Sequence, residues 1–401
     1  MPRFGLPGTA LANFQAACAR RLVIMKSLLK KVLSESQFAS LRDAQIFYKT
    51  SKANQLISSG QSAGLKFASQ AKPMASAYYS LLSRQFQREE RAVLSGLAKY
   101  KADLKEDDAN VFLMRRNVHR LEKGLTMRPR RSVFGRDYIL ETVNVYRKIV
   151  AEPSRSMETT GDSLNWAFDV LTAYFRASAV DPVVDHAREV FRSCMPPDGS
   201  CAGGGRRVPY KRILDEHPVE YDQLKKLAIK RRSVRWFEQR TVSRDLLDKA
   251  FTVAGLSPSA CNRQPFRFLV FDDPETVAEV ASLPGGTSGF KHNIPVMVVV
   301  LGTLDAFYDE KDRHVPYIDG SLAAMSFALA LETLGLGSCI FNWPDVERHE
   351  IRAEKVLGLK PYERPVFFMG VGYPEPEATV AYSQKRPLEV IREYNRPISK
   401  G

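Results

Sequence analysis

Four short segments hold residue types that could do chemistry, and their order along the chain says more than any one of them. The first is Arg231-Arg232-Ser233-Val234-Arg235. Three guanidiniums and a hydroxyl within one turn of chain suit a phosphate dianion, because a guanidinium grips two oxygens at once and Ser233 adds a neutral donor. Alone, such a run is more often solvated surface at a helix end. The second runs Ser257-Pro258-Ser259-Ala260-Cys261-Asn262-Arg263-Gln264-Pro265-Phe266-Arg267-Phe268. Pro258 stops a helix, so the serines are presented from a loop, and Asn262 and Gln264 bring amides that both donate and accept. In the third, Gly335-Leu336-Gly337-Ser338-Cys339, the glycines let backbone approach a ligand closely. The fourth is Gly370-Val371-Gly372-Tyr373-Pro374, followed by the cations of Lys385-Arg386-Pro387-Leu388.

The elements that must carry these segments alternate between helix and strand. Residues 221–231 and 244–255 suit helices, the second with Ser243 as N-cap and Asp245 in its first turn. Residues 266–271, 294–301 and 366–371 read as strands, and 321–334 as a long apolar helix ended by Gly335. That pattern predicts an α+β fold, with helices flanking a mixed, mainly antiparallel sheet.

Upstream the texture is helical. From 107 to 150 and from 161 to 191 apolar residues recur at spacings of three and four, as at Trp166, Phe168, Val170, Leu171 and Tyr174. Residues 20–34 form a basic amphipathic pattern that packs on the protein's own helices or lies on an anionic membrane. The Ser/Gly/Ala-rich interval 58–76 reads as a linker. We therefore divide the chain into a basic, helical N-terminal region 1–105, a helical region 106–215 and a domain 221–401. Met1 and Met25 are both candidate starts.

Net charge is +14, and it is uneven: residues 1–150 carry 27 Lys/Arg against 11 Asp/Glu, leaving 32 against 34 for the rest. Such a basic half is either solvated helix surface or a face for an anionic partner. Five scattered cysteines without a CxxC exclude a disulfide framework and suit a reducing cytoplasm. No apolar run reaches the ~20 residues of a membrane span. The opening residues lack the uninterrupted apolar core of an export signal.

Taken together, in this order, the four segments resemble the nitroreductase family of FMN enzymes, over about 180 residues and less than half the chain. The resemblance implies FMN as cofactor, bound through Arg231, Arg232, Ser233, Arg235, Pro258, Ser259, Ala260, Asn262, Gln264, Gly337, Ser338, Lys385 and Arg386. It leaves open whether Lys385 or Arg386 faces the flavin, and it implies a turn at Gly335–Cys339. The Ser257–Gln264 loop contacts flavin bound mainly to the other subunit in this family, so a homodimer with shared sites is implied. The implied reaction is ping-pong hydride transfer from NADH or NADPH through flavin to an electron-poor small-molecule acceptor, with no obligate catalytic side chain. Asn342-Trp343-Pro344-Asp345 departs from the family's Gly-rich step, and Trp343 either covers the ring or sits in the core. Cys261 reads as a packed thiol.

The stretch Arg115–Leu125 is similar to upstream regions in a subset of nitroreductase-like proteins that accompany surface-polysaccharide genes, which implies a lid or substrate role. As chemistry, His119 and Glu122 share a helical face and could form an acid/base pair. The plainer reading, which we favour, is a salt-bridged helix ending at Gly124. Against the enzyme stands one alternative: a redox-inactive flavin-fold module whose basic half binds an anionic polymer or the membrane periphery. Nucleic acid is not expected as a partner.

Overall fold

The computed structural model describes residues 64–83, 85–105, 110–151, 161–194, 207–212 and 218–396. The basic amphipathic pattern at 20–34 and the two candidate starts lie outside them. The chain divides into compact units Met1–Arg88 and Glu89–Gly401.

Within the first unit, residues 64–68 are helical and α1 (Lys72–Tyr78) follows. The linker expected over 58–76 is thus partly helix. Pro73 sits in the first turn of α1, where its missing N–H costs nothing, and alanine favours the rest.

In the second unit, α2 (Gln87–Lys105) buries Ala92, Val93 and Leu97 against Leu304. Four helices then share one core: α3 (Val111–Thr126), α4 (Ile139–Ala151), α5 (Gly161–Ala177) and α6 (Pro182–Arg192). Met114, Val118, Leu121, Val143, Ile149, Leu171, Tyr174 and Phe191 fill it. Asn110 caps α3 by accepting from the Leu113 N–H at 2.8 Å, and Asp181 caps α6 just before Pro182. Gly124 does not end α3. It lies inside the helix, where a Cβ would stand 2.3 Å from the Phe134 ring, so glycine is there for close packing and not as a C-cap.

The remainder is the expected α+β fold. Helices α7 (Tyr221–Lys230), α8 (Arg244–Gly255), α9 (Pro274–Val280), α10 (Val315–Thr333) and α11 (Glu347–Leu357) flank a four-stranded sheet. Its strands are β1 (Phe266–Phe271), β2 (Val296–Thr303), β3 (Gly337–Asn342) and β4 (Glu363–Gly372), in the order β1-β2-β4-β3 and antiparallel throughout. Alternation along β2 sends Met297, Val299 and Leu301 into one core and Val296, Val298 and Val300 into the other. Each such side chain contributes about 1.5–3 kcal/mol by burial, so β2 is the element on which both layers depend.

Several boundaries move for physical reasons. β2 begins after Pro295, which has no N–H to give the ladder. α10 begins at Val315 and not at Ser321, because Pro316 occupies its first turn. Ser243 has N-cap geometry, but its side chain caps nothing. Gly335 does turn the chain, with φ +76°, yet Gly337–Cys339 of the expected turn are already strand β3.

Candidate functional site

The first and third segments meet. Ser233 and Ser338 form an isolated parallel bridge, with the Val234 N–H donating to the Ser338 carbonyl at 3.0 Å. Gly337 is required there, since a Cβ would lie 2.7 Å from Val234 Cγ2. The fourth segment joins on the far side: Phe237 pairs with Pro374, and the Glu238 N–H donates to the Tyr373 carbonyl at 2.9 Å. Buried Asn293 ties the strand-like 233–238 run down, accepting from Phe237 N at 2.7 Å and donating to the Arg235 carbonyl at 2.8 Å.

Among the described residues, Arg231, Arg232 and Arg235 form no ion pair with a carboxylate within 4.0 Å. Arg232 and Arg235 make long contacts to backbone carbonyls, at 3.3 and 3.4 Å, and the Arg235 guanidinium also lies 6.0 Å from the Phe290 ring centroid. Glu332 at the end of α10 accepts from the Arg232 backbone, and burial holds its carboxyl above the usual range, eased by Lys230 and Arg231. Burial likewise pushes the Cys339 thiol up, against Arg235 and Ser233.

The second segment is built differently. Cys261, Asn262 and Gln264 all have left-handed backbone, at φ +54°, +52° and +53°. Non-glycine residues held there cost of order 1–3 kcal/mol each, so the surroundings must fix the loop. Asp319 of α10, 3% exposed, does so from below, accepting from Ser259 Oγ at 2.7 Å and Ala260 N at 3.0 Å. Ser259 Oγ in turn accepts from Gln264 N at 2.7 Å, and Ser257 Oγ meets Ser326 Oγ at 2.7 Å. Burial raises the Asp319 carboxyl, and the Ser259 and Ala260 bonds oppose the shift.

From the helical core, Arg115 reaches the same loop. Its Nε donates to the Asn262 carbonyl and its Nη2 to Gln264 Oε1, both at 2.8 Å. Gln264 Nε2 donates to the Gly255 carbonyl at 3.1 Å, whereas the Asn262 side chain has no partner among the described residues.

Lys385 and Arg386 are exposed, and among the described residues no side-chain hydrogen bond or ion pair joins them to the other segments. Trp343 is a core residue, 8% exposed, its indole N–H donating to Glu350. Cys261 is a half-buried free thiol. His119 Nδ1 and Glu122 Oε2 lie 3.2 Å apart, and Glu122 also accepts from Trp166 Nε1 at 2.9 Å, so the two side chains are hydrogen-bonded on one face of α3. Asp319 and Arg115 were not among the expected site residues. Asp319 lies just before the apolar stretch 321–334, outside the helix expected from sequence, and nothing in spacing links Arg115 to a loop so distant in sequence.

Comparison with known proteins agrees with this architecture. The sequence model of the Nitroreductase family matches residues 228–284 and 280–373. A protein of Archaeoglobus fulgidus, provisionally named NADH dehydrogenase/NAD(P)H nitroreductase, is 32% identical over 160 residues, 38% of this chain and 86% of its own length. The chain belongs to the nitroreductase family. Other relatives are named for a different reaction: an iodotyrosine deiodinase of Thermotoga neapolitana is 29% identical over 42% of this chain and 96% of its own length. Iodotyrosine deiodinase 1 of Sus scrofa is 24% identical over 46% of this chain and 71% of its own length. A solved structure titled FMN-dependent nitroreductase from Clostridium difficile R20291 is similar at 23% identity over 44% of this chain and 98% of that one, with a TM-score of 0.34. The nitroreductase match leaves the helical region before α7 outside it. No helix among the described residues is long and apolar enough to cross a membrane.

Proposed function

We propose that this nitroreductase binds FMN and passes hydride from NADH or NADPH to an electron-poor organic acceptor, in two half-sites completed by a second copy of the chain. The observation that carries the proposal is the Ser233–Ser338 bridge, which sets at the sheet edge a hydroxyl and three guanidiniums that form no ion pair within 4.0 Å among the described residues. That donor set fits a phosphate dianion. Bound FMN would supply hydride acceptance and return, while the chain's residues orient it and exclude water.

The remaining roles follow from geometry. Among the described residues Asn262 keeps a free amide for the edge of a flat ring, and Gln264, with one N–H and one lone pair still open, adds a second. These groups stand far from the guanidiniums of their own chain. Asp319, under the loop, and Glu332, beside Arg232, are thirteen residues apart on α10 (332 − 319), or roughly 20 Å at the helical rise. A partner's loop therefore serves each phosphate cluster. The face that would meet the partner is available: α10 is apolar all round, yet Ile318, Leu322 and Met325 are exposed beside Val253 and Leu256. A helix of that character is normally buried on every side. Lys385 or Arg386, exposed beyond β4, would complete a site as a cation near the charge that a reduced cofactor carries.

The relatives named iodotyrosine deiodinase favour one second reading of the acceptor, a reductive dehalogenation. Purified protein, mixed with FMN and then with NADH or NADPH anaerobically, distinguishes the two. Bleaching of the flavin followed by reoxidation with a nitroaromatic supports the first acceptor, and iodide release from iodotyrosine the second. A protein that takes up no FMN overturns both.

A further inference from the structure

Among the described residues outside the nitroreductase match, the side chain of Arg115 hydrogen-bonds the loop expected at the flavin. Arg115 stands on α3, and its guanidinium is used as a fork: Nε to the Asn262 carbonyl, Nη2 to Gln264 Oε1, and Nη1 to Ser163 Oγ at 3.1 Å. The Trp166 ring lies 5.4 Å from it, so the planar cation is held on its face as well as its edge. Of the four residues 261–264, three have left-handed backbone, and the fork bonds two of those three. Arg115 also decides the orientation of the Gln264 amide. By occupying Oε1 it leaves Nε2 to face the Gly255 carbonyl, which fixes which amide group remains open toward a ligand.

We infer that Arg115 is a positioning residue for the cofactor: the helical region holds the flavin-contacting loop in its strained form through this guanidinium, and so sets how Asn262 and Gln264 present themselves to the ring. The inference rests on the flavin reading above. Ammonium cannot substitute, because Lys presents one point of charge where two divergent acceptors must be met along fixed directions.

The cavity of about 210 Å³ around Arg364 contains its own counter-charges, Asp345 and Glu350, with Glu89 at its wall, so a further anion is repelled and water suffices. The cleft of about 280 Å³ beside Lys291 and His292 is open surface, where Asp272 is already paired with Arg244.

The test uses the full-length protein with FMN removed. Wild type, Arg115→Lys, Arg115→Ala, Gln264→Ala and Arg115→Lys/Gln264→Ala are titrated with FMN by fluorescence quenching, after circular dichroism and melting curves establish folding. Arg115→Lys is expected to bind about tenfold more weakly, as the loss of charge-assisted bonds implies, and to shift the absorption band of the bound flavin. The double variant is expected to fall below Gln264→Ala by clearly less than that factor, since residues acting through one contact are not additive. Folded Arg115→Lys and Arg115→Ala proteins that bind FMN as tightly as wild type would overturn the inference, as would fully additive losses. If Arg115→Ala does not fold, the Lys variant decides. Wild type failing to take up FMN overturns the flavin reading and this inference together; uptake with unchanged variants overturns this inference alone.

Discussion

Ser233 lies beside Ser338 in a parallel bridge at the edge of an otherwise antiparallel sheet, and the Val234 N–H closes it on the Ser338 carbonyl at 3.0 Å. This contact separates two identical tetrapeptides. Arg-Arg-Ser-Val occurs at both 130–133 and 231–234. The first copy lies in a loop before α4 with both arginines exposed, and among the described residues no strand pairs with it. Arg231→Ala should weaken FMN binding about tenfold or more, removing a charge-assisted contact of roughly 1.5–3 kcal/mol. Arg130→Ala should leave it unchanged. Flavin fluorescence titration of both apo variants checks this, and equal losses would reject the assignment.

The exposed face of α10 makes a second expectation concrete. Leu322→Asp, at 43% exposure in a single chain, should cost little within the protomer but place a charge at the proposed interface. Light scattering should show a monomer, with FMN affinity lost alongside. A variant that stays dimeric and holds FMN would locate the interface elsewhere.

Burial raises the Asp319 carboxyl above its unfolded value. A raised acid favours folding while protonated, so its contribution is fully present below the unfolded pKa and is lost as pH rises through the folded one. Asp319→Asn keeps an acceptor for Ser259 and Ala260 and has no proton to lose. Denaturant melts across the acid range should therefore show the stability of wild type, taken relative to the variant, falling as pH rises. Parallel curves would mean that the carboxyl does not titrate differently on folding.

Gly124 offers a stability test away from the site. In an exposed helix Gly→Ala would stabilise by about 1 kcal/mol, but here the added methyl meets the Phe134 ring at 2.3 Å. Overpacking of that kind costs about 1–3 kcal/mol, so the sign should reverse. The midpoint in urea reports it.

Removing residues 1–86 should leave FMN binding intact, whereas removing 1–105 should not be neutral. The longer deletion strips α2 from Leu304, against whose backbone Gly96 is packed so closely that a Cβ would lie 2.6 Å away. Comparing melting temperatures and FMN affinities of the two truncations checks this. Identical behaviour would show α2 to be dispensable.

The elements were legible where one local rule governed them. Residues 244–255 and 266–271 are legible with the observed bounds, since a breaker-flanked helix and a short apolar strand need only their own neighbours. β3 was hidden, because Gly335 and Gly337 signal a turn and only β4 beside it makes Gly337–Asn342 a strand. In the site, the donor types of the Arg231 and Ser257 segments were plain, but their supports were not. Asp319 and Arg115 act across long sequence separations, and no periodicity records which distant loop a side chain will reach. Lys385 and Arg386 were named by resemblance, and a single chain leaves them in solvent.

The span of the Arg115 bonds also bears on how the protein is made. Arg115 and Asn262 are 147 residues apart, so at about 5–20 residues per second a ribosome delivers the loop roughly 7–30 s after the helix that holds it. α3–α6 share a core of their own and can assemble in that interval. The strained turn thus emerges onto a finished template, and an order of synthesis that placed these helices last would leave nascent residues 261–264 to relax first.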